Sequence, residues 1–136
     1  MTKIILQEEA TGCGFACVAM LAETSYQEVK KLANQQGMNA SDEKLFTTTD
    51  YVRKLLGDLN FSLGQDEVAF THWNELPQLA LLATKYRIEN DNPRWHWCVY
   101  SANPARVLDP ASYLDVNERT DFDNIDVKWY IPVGMT

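Results

Sequence analysis

From Phe15 to Ala22 every position is apolar. A helix built on such a run has no solvent face, so the pattern predicts a central, buried helix. The turn-forming pair Thr11-Gly12 stops whatever precedes it and sets the helix start near Cys13. Polar positions return at Ser25-Tyr-Gln-Glu28, a capping box ahead of Val29, Leu32 and Ala33 at helical spacing, and Gly37 ends this second helix. Thr47 or Thr48 is expected to cap a third helix that turns Tyr51, Val52, Leu55 and Leu56 inward and stops at a left-handed Gly57. Beyond Gly57 the segments shorten. Residues 3 to 6, Phe61 to Leu63 and Val68 to Phe70 read as extended, and Trp73-Asn-Glu-Leu76 reads as a turn broken at Pro77. Leu79 to Tyr86 fits a buried strand or a short helix equally well. Asn90-Asp-Asn-Pro93 reads as a loop, and Trp95 to Ser101, Arg106 to Asp109 and Val127 to Val133 read as strands. Helices first and strands later, without alternation, predict an α+β fold with N-terminal helices packed on a C-terminal antiparallel sheet.

Composition narrows this picture. A chain of 136 residues, 46% hydrophobic and 23% charged, suits one domain over residues 1–136. Its twelve Lys and Arg are scattered and the net charge is −7, the wrong electrostatics for nucleic acid or an anionic membrane surface. The apolar run near the N-terminus is too short for a signal peptide, and no run reaches membrane-span length. The expected location is therefore the cytoplasm, although export without a cleaved signal would leave the same pattern. Three cysteines are an odd and sparse count for a disulfide framework, so at least one thiol is expected to be free.

The candidate chemistry starts at Cys13. A lone cysteine is ordinarily a small buried hydrophobe. In Thr11-Gly-Cys-Gly-Phe15, however, a helix N-terminus offers free N–H groups and positive dipole to the sulfur, and the flanking glycines allow close backbone approach by a ligand. Such a setting favours the nucleophilic thiolate. Of two histidines, His72 lies beside a turn and suits a surface or capping role. His96 shares a strand face with Cys98 and Tyr100, opposite Trp95, Trp97 and Val99. A hairpin through Ser101-Ala-Asn-Pro104 would pair Tyr100 with Ala105 and set His96 opposite Asp109, within about 4.5–5.5 Å between Cβ atoms. This gives a base and a carboxylate to orient it. Gln7 offers a side-chain amide, and Cys13 its N–H, for a developing oxyanion. A metal set of Cys13, Cys17, His96 and Cys98 is the competing use of the same residues. It lacks the close cysteine pairs typical of structural zinc, so neither metal nor cofactor is expected.

Gln7, Thr11-Gly-Cys-Gly-Phe-Ala-Cys-Val-Ala-Met20, His96-Trp-Cys-Val-Tyr100 and Val107-Leu-Asp-Pro110, in this order, resemble the papain-like cysteine peptidases, in particular the bacteriocin-processing domains that cleave leader peptides after a double glycine. The resemblance spans nearly the whole chain. It implies a papain-like fold, a peptide or protein substrate, Cys13 as nucleophile, His96 as base, Asp109 as its orienter, Gln7 as oxyanion donor, and Cys17 as a packing residue. Those domains usually carry Asp immediately before the nucleophile, where this chain has Gly12, and most are fused to an exporter. The same four residues would also serve an acyl transferase or deamidase, or remain in a peptide-binding module.

Overall fold

The computed structural model describes residues 3–39, 41, 42, 45 and 48–135. Helix α1, Cys13–Ala22, has every residue from Cys13 to Leu21 buried, as its unbroken apolar run requires. It ends in a Schellman arrangement in which Thr24 N–H donates to Ala19 O (3.0 Å) and Glu23 takes the left-handed conformation. Helix α2, Tyr26–Gln35, is capped by Ser25, whose hydroxyl accepts from Glu28 N–H (3.1 Å). The helix stops where Gly37 turns to φ +80 and Met38 N–H reaches back to Ala33 O (2.9 Å). Helix α3, Asp50–Asp58, buries Tyr51, Val52, Leu55 and Leu56 as its spacing predicts. Its ends differ from expectation. Thr49 holds the N-cap position in place of Thr48, and Thr47 lies outside the described residues. Gly57 lies within the helix, and the left-handed residue is Asn60 (φ 71). A short polar residue also tolerates that conformation, so the first glycine met need not be the stop.

Seven strands follow: β1 Phe61–Leu63, β2 Val68–Ala69, β3 Leu79–Glu89, β4 Asn92–Ser101, β5 Arg106–Leu108, β6 Glu118–Arg119 and β7 Val127–Met135. Every pairing is antiparallel, in the order β1-β7-β3-β4-β5-β6, with β2 also on β7. The ambiguous Leu79 to Tyr86 run is strand because both its faces are buried. Leu81 and Ala83 meet the helices with Trp97, Val99 and Ile131, while Ala80 and Leu82 join Cys98, Tyr100 and Val107 on the far face. Trp73 covers that far face, its ring 4.8 Å from Phe122 and 5.0 Å from Phe70 between centroids. The expected Asn90–Pro93 loop contracts to two residues. Asn90 (φ 51) and Asp91 (φ 66) form the tight turn of the β3–β4 hairpin, and Pro93 belongs to the strand. Midway along this hairpin, Lys85 and Tyr86 together oppose Trp95, a bulge that puts Lys85 at φ 54.

Among the described residues, no helix is long and apolar enough to cross a membrane.

Candidate active site

The first turn of α1 carries Cys13 onto the edge of the sheet. Strand β5 ends at Leu108, opposite Val99, so β4 has no strand partner on that side at Trp97, and Trp97 N–H donates to Cys13 Sγ (3.5 Å). The two glycines around Cys13 serve packing. A Cβ on Gly12 would lie 2.0 Å from the Tyr26 hydroxyl, and one on Gly14 would lie 2.0 Å from the Tyr51 hydroxyl. The flanking glycines therefore admit two tyrosines of α2 and α3 rather than a ligand. The Tyr26 hydroxyl in turn donates to Glu9, which also pairs with Lys30. This anchors the segment leading into α1.

The strand pair that holds His96 departs from the simple hairpin. Its observed register is Ser101↔Arg106, Tyr100↔Val107 and Val99↔Leu108, two positions from the expected one, with residues 102–105 as the loop. Because side chains alternate with period two, a shift of two leaves Asp109 on the face of His96. The two meet: His96 Nε2 and Asp109 Oδ1 are 2.7 Å apart. The imidazole keeps 14% exposure toward the cleft while the carboxylate keeps 1%.

The fixed points around Asp109 are more numerous than the sequence suggested. Ala111 N–H donates to Oδ1 (3.1 Å) and Arg119 to Oδ2 (3.2 Å). Asn117 Nδ2 bridges the carbonyls of Asp109 and Ala111 at 2.8 Å each, and Asp109 N–H donates to Asn117 O (2.9 Å). Arg119 sits on the two-residue strand β6, too short to leave a periodic signal, so nothing in the sequence flagged it.

Electrostatics follow from these contacts. Burial opposes charge on His96, yet hydrogen bonds to Asp109, Cys13 and Cys98 outweigh it and push the imidazole pKa up to about 12. Burial likewise works against the Asp109 carboxylate, but the His96 bond and charge, Ala111 N–H and Arg119 hold it near 2. The pair therefore rests as imidazolium and carboxylate at neutral pH. Cys98, on the His96 face, shares a hydrogen bond with the imidazole and lies 3.8 Å from Thr84 Oγ1. Burial, the largest influence, raises its pKa. Cys17 is fully buried one helical turn after Cys13, and burial pushes its pKa well up. All three thiols are free and buried. His72 lies exposed before the Trp73–Glu75 turn and makes no side-chain cap.

A cleft of about 590 Å³ opens beside His96, walled by Gln7, Trp95, Lys85 and Tyr113 among others. Gln7 thus reaches the same cavity as His96. Its amide nitrogen donates to Glu9 O (3.0 Å) and Ala10 O (3.1 Å), and its Oε1 is buried without a partner. Gln7 N–H donates to Pro110 O (2.9 Å), which ties the segment before α1 to the residue after Asp109. Of the four candidate residues, Gln7 and His96 line this cavity, while Asp109 lies buried against His96 and Cys13 lies buried against Trp97 N–H.

No family model and no curated protein matches the chain. Solved structures do. A double glycine motif protease from an AMS/PCAT transporter, crystallised in complex with the leader peptide, is 16% identical over all of this chain and 93% of its own, with a TM-score of 0.63. The peptidase domain of Streptococcus ComA, a bifunctional ABC transporter involved in a quorum sensing pathway, is 16% identical over the full length of both chains, with a TM-score of 0.69. The chain thus has the fold of double-glycine peptidase domains, the papain-like α+β arrangement of helices on an antiparallel sheet.

Proposed function

We propose that residues 1–136 form one catalytic domain, a cysteine-dependent peptide hydrolase. The observation that carries this reading is the 2.7 Å His96–Asp109 contact, with Cys13 at the start of α1 held by Trp97 N–H, the residue next to His96. Cys13 Sγ, its proton held on His96, attacks the scissile carbonyl carbon. The charge that develops on the carbonyl oxygen is met by the Cys13 N–H and by the Gln7 amide, one of whose protons leaves a loop carbonyl to do so. Protonated His96 gives its proton to the departing amine, and the neutral imidazole then draws a proton from the water that opens the acyl-thioester. Asp109 holds the ring and favours its charged form throughout.

The substrate is an extended peptide lying in the cleft between Gln7 and Tyr113. A structural neighbour crystallised with a leader peptide supports that choice of substrate class. Three free thiols suit the reducing cytoplasm. A binding module on the same fold is the second reading, favoured by the commitment of both Gln7 donors to its own loop.

New N-termini decide between them. A proteome incubated with the wild-type protein should show a consistent set of cleavages that Cys13→Ala abolishes. Identical N-termini with both proteins would overturn the hydrolase reading.

A further inference from the structure

One buried nucleophile has no part in this chemistry. Cys98 lies on the sheet face away from the helices, two residues from His96, 1% exposed, and its sulfur takes a hydrogen bond with the imidazole. The donor atoms of His96, Cys98 and Asp109 all lie within 4.8 Å of one another. An imidazole nitrogen, a thiolate and a carboxylate oxygen are a ligand set suited to Zn²⁺, whose bonds of roughly 2.0–2.3 Å set tetrahedral donors about 3.3–3.8 Å apart, so the three side chains close in slightly to hold it. Cys13, which interacts with the same imidazole, can complete the shell. A path exists, because His96 opens onto the 590 Å³ cleft.

We propose that His96, Cys98 and Asp109 form an inhibitory binding site for a thiophilic divalent cation such as Zn²⁺. On binding, the Cys98 thiol and the His96 imidazolium each release a proton to solvent. A Zn–S bond and a Zn–N bond form, and no oxidant or reductant is needed. The base and its orienter are then tied up by the metal. Activity stops until a chelator removes the ion. The inhibition rests on the hydrolase reading, whereas the binding does not.

Cobalt separates the two. Cys13→Ala protein titrated with Co²⁺ should develop a thiolate-to-cobalt charge-transfer band at one equivalent, lost on adding Zn²⁺. The double variant Cys13→Ala, Cys98→Ala should lack the band, and Cys13→Ala, Cys17→Ala should keep it. In the active enzyme, Zn²⁺ should inhibit and EDTA restore, with the inhibitory concentration raised at least roughly tenfold in Cys98→Ala or, should that variant unfold by circular dichroism, in Cys98→Ser. A band that appears only when Cys13 is present, or one that survives loss of Cys98, would overturn the site. Absence of any hydrolysis would count against the hydrolase reading alone, since the cobalt titration still decides the metal.

Discussion

His96 and Asp109 share a contact that determines which proton states the site can adopt. Replacing Asp109 with Asn keeps the shape but removes the carboxylate whose hydrogen bond is the largest of the influences that raise the imidazole pKa against burial. The alkaline limb of the kcat/KM profile should therefore move to lower pH in Asp109→Asn. Arg119→Ala should change the profile less, since Arg119 acts on the carboxylate through its other oxygen at 3.2 Å. A pH profile of Asp109→Asn superimposable on wild type would show that the contact does not set the proton state. Gln7→Ala should lower kcat by about 10²–10³ while leaving KM nearly unchanged, as expected for a donor that strengthens in the transition state. A loss confined to KM would assign Gln7 to substrate binding instead.

At the level of the elements, α1 is positioned by what its glycines admit. Gly12→Ala and Gly14→Ala should each destabilise the fold by about 1–3 kcal/mol, the usual cost of overpacking. The two differ in rescue. Tyr26→Phe removes the atom 2.0 Å from the Gly12 Cβ, leaving the next ring carbon at 3.1 Å, so it should recover part of the loss. Tyr51→Phe should not rescue Gly14→Ala, because two ring carbons remain at 2.6 and 2.7 Å. Chemical denaturation of the four variants measures this, and equal rescue in both pairs would contradict the packing described. These contacts also show why the sequence was only partly legible. The unbroken apolar run announced α1 as buried, and Ser25 with Gly37 marked both ends of α2, because those signals are local. The reason for Gly12 and Gly14 lies on two other helices, so a local reading assigned them to a ligand. The hairpin register was wrong by two positions and still placed Asp109 correctly, because only an odd slip changes the face.

Across the whole molecule, the candidate site exists only where the layers meet: the helical layer brings Cys13, β4 brings His96, and the segment after β5 brings Asp109. Folding and site assembly are therefore one event, and the His96–Asp109 pair should leave a mark on stability. The sign differs for each partner. The carboxylate pKa falls from 3.8 to about 2, so its contribution is complete above about pH 4 and is lost as pH falls toward 2. The imidazole pKa rises from 6.5 to about 12, so its contribution is complete below about pH 6.5 and is lost as pH rises toward 12. The stability lost in Asp109→Ala, about 3–5 kcal/mol for leaving a buried partner uncompensated, should be greatest between about pH 4 and 6.5 and shrink on both sides. Urea unfolding from about pH 2 to about pH 10 checks it, and a difference independent of pH would refute the ion pair. The central claim, that Cys13 alone is activated, is tested most directly by limiting iodoacetamide near neutral pH followed by peptide mapping. All three cysteines are buried, so burial alone cannot select among them. Alkylation should fall on Cys13, spare Cys17 and Cys98, and slow sharply in His96→Ala. Equal labelling of the three, or none at Cys13, would contradict it.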